Sequence, residues 1–255
     1  MARARQFRRG IYLLPTLFTV GNLFCGYSSL VKSFHGAVEQ AAVFIIIAGV
    51  LDGLDGRIAR LTGTTSDFGV EFDSLADIVS FGIAPALLAY RWALSSFDRL
   101  GWLIAFIYVV CTAMRLARFN IQKNVGDKRH FAGLPSPMAA GALASMAYAF
   151  PVISADNWSS VALTVFVAAL AMMMISRVRY RSFKEFDLRN RRSYVYVLPL
   201  AAMIVAIGIY PKWALLTLSV AYLVSAPAAS LWGLGSRAFA PTTGRSETSE
   251  TVDGW

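Results

Sequence analysis

The chain contains 255 residues, of which 56% are hydrophobic, and it carries a formal net charge of +9. Its mean hydropathy is +0.54. That average is far above the value for a soluble domain, and the apolar runs approach the roughly 20 residues that cross a bilayer. The composition excludes an ordinary soluble domain and indicates an integral membrane protein. The positive charge does not indicate a nucleic-acid partner, because no basic module interleaved with aromatic residues accompanies it.

The apolar runs predict an all-α fold, a polytopic membrane bundle of about eight transmembrane helices. Residues 1–12 form a basic interfacial segment, residues 13–233 the membrane-embedded domain, and residues 234–255 a polar tail that we expect to be disordered. Acidic residues interrupt the third span and a tight Tyr210-Pro211 turn joins the last two, so six or seven spans are the alternative. The expected spans lie near residues 13–34, 38–61, 71–93, 99–119, 134–153, 158–177, 194–210 and 212–233.

The distribution of basic residues predicts the orientation of the chain. Of the 24 Lys and Arg residues, only Lys32, Arg91, Arg99 and Lys212 fall on the side opposite to the amino terminus. Under the positive-inside rule, both termini and the carboxylate cluster described next face the cytoplasm.

The most informative segment runs from Asp52 to Asp77 and places four carboxylates at the edges of two apolar segments. Helix positions three and four apart share a face, so Asp52 pairs with Asp55 and Asp73 pairs with Asp77. A short turn then folds the two pairs around one point. Such a cluster would repel itself in a low dielectric unless metal ions neutralised it, and hard cations prefer oxygen ligands. The spacing therefore predicts a site for two divalent ions, Mg2+ or Mn2+.

The same segment resembles the signature of the CDP-alcohol phosphatidyltransferases. Its fixed residues fill the pattern Asp52-x2-Asp55-Gly56-x2-Ala59-Arg60-x8-Gly69-x3-Asp73-x3-Asp77. The resemblance implies a metal-assisted displacement on CDP-diacylglycerol, with Asp77 as the general base that accepts the proton of the acceptor hydroxyl. It also implies a homodimer. The positions expected to bind the CDP-lipid are Thr19, Asn22, Gly56, Arg60 and Ser66. For Asn22, a hydrogen bond across helices is an equal alternative.

Three further patches resemble the bacterial phosphatidylserine synthase branch of this family. They read LPTLFTVGNLFCGYSSL at residues 14–30, MRLARFN at 114–120 followed by FAGLPSPMAAG at 131–141, and ISRVRYRSFKEF at 175–186. The resemblance implies that L-serine is the acceptor and that the protein lies in the bacterial cytoplasmic membrane. Other acceptors in the same family, glycerol 3-phosphate or an inositol phosphate, are the first alternative. A cation-coupled transporter is the second, because intramembrane acids also serve ion pathways.

A candidate acceptor site lies at the end of the fourth span. Arg115 and Arg118 are three residues apart on one helix face, close to Asn120, and a guanidinium can bind a carboxylate with two hydrogen bonds. This arrangement suits the carboxylate of serine. The positive-inside rule also predicts arginines at this helix end, so both interpretations stand equally.

Overall fold

A computed structural model describes residues 2–62, 66–125, 133–153, 157–176 and 193–238. Within these ranges all regular secondary structure is helical, which confirms the predicted all-α class. Each expected span coincides with a helix, except that the third corresponds to two helices joined end to end. The helices are α1 (Ala2–Phe34), α2 (Val38–Thr62), α3 (Asp67–Asp77), α4 (Ala84–Trp92), α5 (Asp98–Val125), α6 (Ser136–Ala149), α7 (Asn157–Ile175), α8 (Ser193–Ile209) and α9 (Pro211–Ala238).

Three continuous helical stretches of the described chain are both long and apolar enough to cross a membrane. They are Asp67–Trp92, Leu94–Ile121 and Trp158–Ile175. The first contains α3 and α4, joined by a π-helical segment, Ile78–Ile83, that begins directly after Asp77. The predicted interruption of the third span is thus a change of helical geometry beside the acidic residues, and π-helical turns are frequent at functional sites.

Two helices extend beyond the predicted boundaries. The first helix begins at Ala2 and includes the basic segment expected to precede it, because the alanines and arginines of residues 2–9 are good helix formers and only Gly10 disfavours a helix there. At the other end, α9 continues to Ala238 and includes the first residues of the expected polar tail. The predicted tight turn between the last two spans is confirmed, since α8 ends at Ile209 and α9 begins at Pro211. The rest of the tail lies outside the described residues.

Small side chains dominate the core of the bundle. Helix α6, only 14 residues long, buries eight residues, five of them alanine. It packs between α2 and α9, and α2 packs along α1. Without a hydrophobic driving force between helices in lipid, small residues let backbones approach and gain van der Waals contact. The large exposed side chains, such as Phe24, Phe106 and Val165, then face outward, as expected of lipid-facing surfaces.

The closest approach that matters for the site is between α1 and the π-helical segment. A Cβ atom added to Gly26 would lie 2.9 Å from the Cα atom of Ser80, a separation that real Cβ atoms do not tolerate. The Ser80 hydroxyl donates a hydrogen bond to the backbone oxygen of Asn22, one turn before Gly26, at 3.0 Å. A glycine is therefore required where α1 crosses the π-helical segment, and this crossing brings Asn22 beside Asp77.

Candidate metal-binding active site

Three of the four predicted aspartates converge. Asp52 from α2 and Asp73 and Asp77 from α3 each place one carboxylate oxygen within 4.8 Å of the others. Asp77 is buried, whereas Asp52 and Asp73 are partly exposed. The pair on α3 shares one helix face because its members are four residues apart. The prediction that the two acidic pairs fold against each other is therefore met by these three side chains.

The fourth aspartate, Asp55, lies outside this group of three. It is buried one turn after Asp52, and its Oδ2 atom accepts a hydrogen bond from the hydroxyl of Thr19 on α1. Thr19 was predicted from the family resemblance to contact the CDP-lipid, and its hydroxyl is instead directed at Asp55. The contact fixes the orientation of a buried carboxylate, which would otherwise be costly to leave unpaired.

Asn22 connects α1 directly to the carboxylate group. Its side-chain amide Nδ2 donates a hydrogen bond to Oδ1 of Asp77 at 3.3 Å. The cross-helix hydrogen bond considered for Asn22 from the sequence is therefore present. Its own Oδ1 atom is fully buried and has no hydrogen-bond partner among the described residues. Asn22 thus holds one oxygen of Asp77, a carboxylate that also lies beside Asp52 and Asp73.

The donor set fits a hard divalent cation. Three carboxylate oxygens from two helices are within 4.8 Å of one another, close enough to surround one ion. Carboxylates this close repel one another strongly where water is scarce, and a bound cation converts that repulsion into attraction. Three of the four residues predicted to hold metal ions therefore form a group that could bind a divalent cation.

Arg115 on α5 is a basic residue close to this group. It is partly buried, and its guanidinium interacts electrostatically with Asp77 and Asp52. One nitrogen, Nη1, donates a hydrogen bond to the hydroxyl of Ser136 at 2.6 Å. Ser136 is completely buried at the first position of α6. Ser136 therefore holds one nitrogen of the guanidinium, which lies near the carboxylate group.

The other two residues predicted to bind the acceptor substrate, Arg118 and Asn120, differ in their exposure. Arg118 is exposed, one turn beyond Arg115. Asn120 is partly buried, and its Nδ2 atom donates a hydrogen bond to the Ser74 hydroxyl at 2.8 Å. Ser74 follows Asp73 directly, so Asn120 ties α5 to α3 beside the carboxylates. The structure brings Arg115 and Asn120 to the site and leaves Arg118 at the surface.

The remaining predicted lipid-binding positions lie at the open side of α2 and α3. Gly56 is exposed, and a Cβ atom added there would meet nothing within 4 Å. Ser66 is exposed as the N-cap of α3, where its hydroxyl accepts a hydrogen bond from the backbone amide of Gly69 at 3.1 Å. Arg60 lies in α2, but its side chain is outside the described residues.

Two serines complete the site although the aspartate pattern did not single them out. Ser74 accepts a hydrogen bond from Asn120 and Ser136 accepts one from Arg115, so each serine holds a residue predicted to bind the acceptor substrate. For Ser136 a signal was present, because it lies in the Gly- and Pro-containing turn at residues 133–137. Gly133 has φ +94°, and a Cβ atom there would lie 3.1 Å from the backbone oxygen of Ser176, so this turn requires glycine. Ser74 carried no comparable signal.

Comparison with known proteins agrees with this geometry. The profile of the CDP-alcohol phosphatidyltransferase family matches residues 12–175. The chain is 38% identical over 213 residues to the CDP-diacylglycerol–serine O-phosphatidyltransferase of Helicobacter pylori strain 26695, covering 78% of this chain and 88% of that relative. The corresponding protein of Bacillus subtilis strain 168 is 33% identical over 180 residues, which are 71% of this chain and 96% of the relative.

An archaeal protein is also similar. The archaetidylserine synthase of Methanothermobacter thermautotrophicus is 34% identical over 169 residues, which cover 66% of this chain and 69% of the relative. The matched region contains the aspartate segment, and the family profile ends at the last residue of α7. The family match and these identities confirm the resemblance identified in the sequence. The chain belongs to the CDP-alcohol phosphatidyltransferase family.

Proposed function

We propose that this enzyme transfers the phosphatidyl group of CDP-diacylglycerol to the hydroxyl of L-serine, giving phosphatidylserine and CMP. The observation that carries the proposal is the group of Asp52, Asp73 and Asp77 with the Arg115 guanidinium beside it. The group suits a pyrophosphate with its metal ions, and the guanidinium suits a small acceptor that bears a carboxylate. Relatives that are 38% and 33% identical are named for this reaction.

The reaction proposed is a direct displacement at phosphorus. The serine hydroxyl oxygen forms a bond to the phosphorus that carries diacylglycerol, and the bond from this phosphorus to CMP breaks. When bound, two divalent ions, Mg2+ or Mn2+, would neutralise the pyrophosphate and stabilise the departing CMP. Asp52, Asp73 and Asp77 would hold them. Asp55 is the proposed fourth ligand, since Thr19 occupies only its Oδ2 atom.

Asp77 is the proposed general base, a role that the family resemblance implies. It is buried, and Asn22 holds its Oδ1 atom at 3.3 Å, so the orientation of the carboxylate is fixed before a substrate binds. A base held in this way takes the proton from the serine hydroxyl as the new bond to phosphorus forms. The CDP-lipid would lie along the open side of α2 and α3, with Gly56 allowing close approach and with Arg60 and Ser66 nearby.

For the acceptor, the geometry favours Arg115 over Arg118. Arg115 is held by a buried partner and interacts electrostatically with Asp77 and Asp52, whereas Arg118 is exposed. The guanidinium would bind the serine carboxylate with the donors that Ser136 leaves free, and this would place the serine hydroxyl near Asp77. Asn120, bonded to Ser74, would line the same side of the site.

The wider setting of the reaction is also proposed. The bundle would cross the bacterial cytoplasmic membrane with about eight helices, and its active site would face the cytoplasm, where serine and CMP are soluble. The expected organisation has a basic segment at residues 1–12, a membrane domain at 13–233 and a polar tail at 234–255. A homodimer is proposed from the family resemblance.

The acceptor is tested by measuring CMP release from CDP-diacylglycerol in detergent micelles with one acceptor at a time. L-serine should support release, while glycerol 3-phosphate and inositol phosphate should not, because neither carries a carboxylate for Arg115. EDTA should abolish release and added Mg2+ or Mn2+ should restore it. Release that depends on glycerol 3-phosphate instead would assign the enzyme to another branch of the family.

The proposed base is tested by Asp77→Asn, assayed at saturating metal and saturating CDP-diacylglycerol. Loss of a general base typically costs about 10^2- to 10^4-fold in rate, so kcat should fall by that factor while lipid binding weakens less. Glu71→Gln, which neutralises an exposed acid on the same helix, should retain the rate of the unmodified enzyme. An unchanged kcat with weakened lipid binding would assign Asp77 to ligand binding alone.

The acceptor contact is tested by comparing Arg115→Lys with Arg118→Lys. A lysine ammonium keeps the charge but cannot form the planar pair of hydrogen bonds. Losing one charged hydrogen bond costs roughly 1.5 to 3 kcal/mol, so Arg115→Lys should raise the KM for serine by about ten- to a hundredfold. The KM for CDP-diacylglycerol should change little, and Arg118→Lys should behave as the unmodified enzyme. The opposite ranking of the two variants would place the serine carboxylate at Arg118.

A further inference from the structure

A second polar feature lies at the end of the bundle opposite to the carboxylate group. A pocket of about 400 Å³ opens there between α1, α2 and α6. Its lining combines aliphatic and aromatic surface with charged and amide groups, and consists of Lys32, Glu39, Gln40, Val43, Phe44 and Tyr148. Glu39 and Gln40 are exposed, so the pocket is open to the surroundings of the protein.

The position of this pocket separates it from the proposed active site. Glu39 and Asp52 are 13 residues apart in α2. At 1.5 Å per residue, this spacing corresponds to about 20 Å along the helix axis, most of the thickness of a bilayer core. The pocket therefore faces the other side of the bundle, and a molecule bound there would not contact the aspartates.

One edge of the pocket is built by the beginning of α9. The ammonium group of Lys212 forms an ion pair with Glu39 at 2.8 Å and lies 5.2 Å from the centre of the Tyr148 ring. The neighbouring Trp213 packs edge-on against Phe150, with ring centres 5.9 Å apart. These contacts fix Lys212 beside the pocket and join α2, α6 and α9 at this end.

The charges around the pocket are not balanced. Lys212 offsets Glu39, whereas the ammonium group of Lys32 has no acidic partner among the described residues. Lys32 is partly buried at the last turn of α1, next to the apolar side chains of Val43 and Phe44. The pocket thus presents one uncompensated positive charge next to an apolar surface. An anionic lipid complements both, because its phosphate is negatively charged and its acyl chains are apolar.

We propose that this pocket binds an anionic phospholipid of the surrounding membrane. Its phosphate would lie between Lys32 and Lys212, the headgroup would contact Gln40, and the upper part of an acyl chain would cover Val43 and Phe44. The volume suits a headgroup with the beginning of its chains, within the range of ordinary ligand pockets. The bound lipid would hold α1, α2, α6 and α9 together at the end of the bundle opposite to the carboxylate group.

Native mass spectrometry of the purified protein tests this proposal without any substrate. The protein is titrated in detergent with phosphatidylglycerol or with phosphatidylcholine of identical acyl chains. Lys32→Ala should weaken phosphatidylglycerol binding about fivefold and remove the preference over phosphatidylcholine, because one lysine near a lipid surface is worth about that factor. Glu39→Gln should strengthen phosphatidylglycerol binding, since it removes an acid that lines the pocket beside the lipid phosphate.

Arg91→Ala is the matched control, because Arg91 is an exposed cation in the last turn of α4 at the same end of the bundle. It should leave phosphatidylglycerol binding unchanged. Equal losses in Lys32→Ala and Arg91→Ala, or no loss in either, would overturn the proposal and indicate non-specific lipid contact. If Lys32→Ala instead shifted the monomer–dimer equilibrium and left lipid binding unchanged, the pocket would be covered by a second copy of the chain.

Discussion

The repulsion among three carboxylates is the constraint on which the rest of the site depends. Asp52, Asp73 and Asp77 approach within 4.8 Å at the edge of apolar helices, and water screens the buried Asp77 least. Among the described residues, the Asn22 amide and the Arg115 guanidinium supply part of the compensation. Divalent ions and the substrate would supply the remainder. A site that is electrostatically incomplete by itself is well suited to bind a pyrophosphate with its metal ions.

The packing around this site serves to hold the carboxylates in place. The crossing of α1 at Gly26 brings Asn22 to Asp77 and Thr19 to Asp55, so a single helix supports one member of each acidic pair. The π-helical segment begins directly after Asp77, and Ser80 within it donates a hydrogen bond back to α1. On the other side, Ser136 and Ser74 hold Arg115 and Asn120. The support therefore consists of side-chain hydrogen bonds between different helices.

Much of the fold and the centre of the site could be predicted from the sequence. Apolar run lengths gave helix positions, and the spacing of Asp73 and Asp77 is a property of any α-helix. The family pattern added the reaction, and the transporter alternative fell once the family was established. The family profile covers more than the aspartate segment alone, since it extends from residue 12 to residue 175.

The supporting contacts could not be predicted in the same way. Whether Thr19 meets Asp55, or Ser136 meets Arg115, depends on the rotation and crossing of helices, which no local pattern encodes. For the same reason the sequence could not rank Arg115 above Arg118, because both lie at the same helix end and satisfy the same charge rule. Residues 1–12 were predicted to form an interfacial segment, and α1 runs through them from Ala2 because arginine is also a good helix former.

The central claim is that the converging aspartates bind divalent ions, and Mn2+ binding measured by electron paramagnetic resonance tests it most directly. The free Mn2+ signal is recorded while purified protein in detergent is titrated without substrate. The account predicts saturable binding by the unmodified protein, weakened at least tenfold by Asp73→Asn and unaffected by Asp67→Asn, which neutralises an exposed acid at the start of α3. Equal Mn2+ affinity in all three proteins would contradict it.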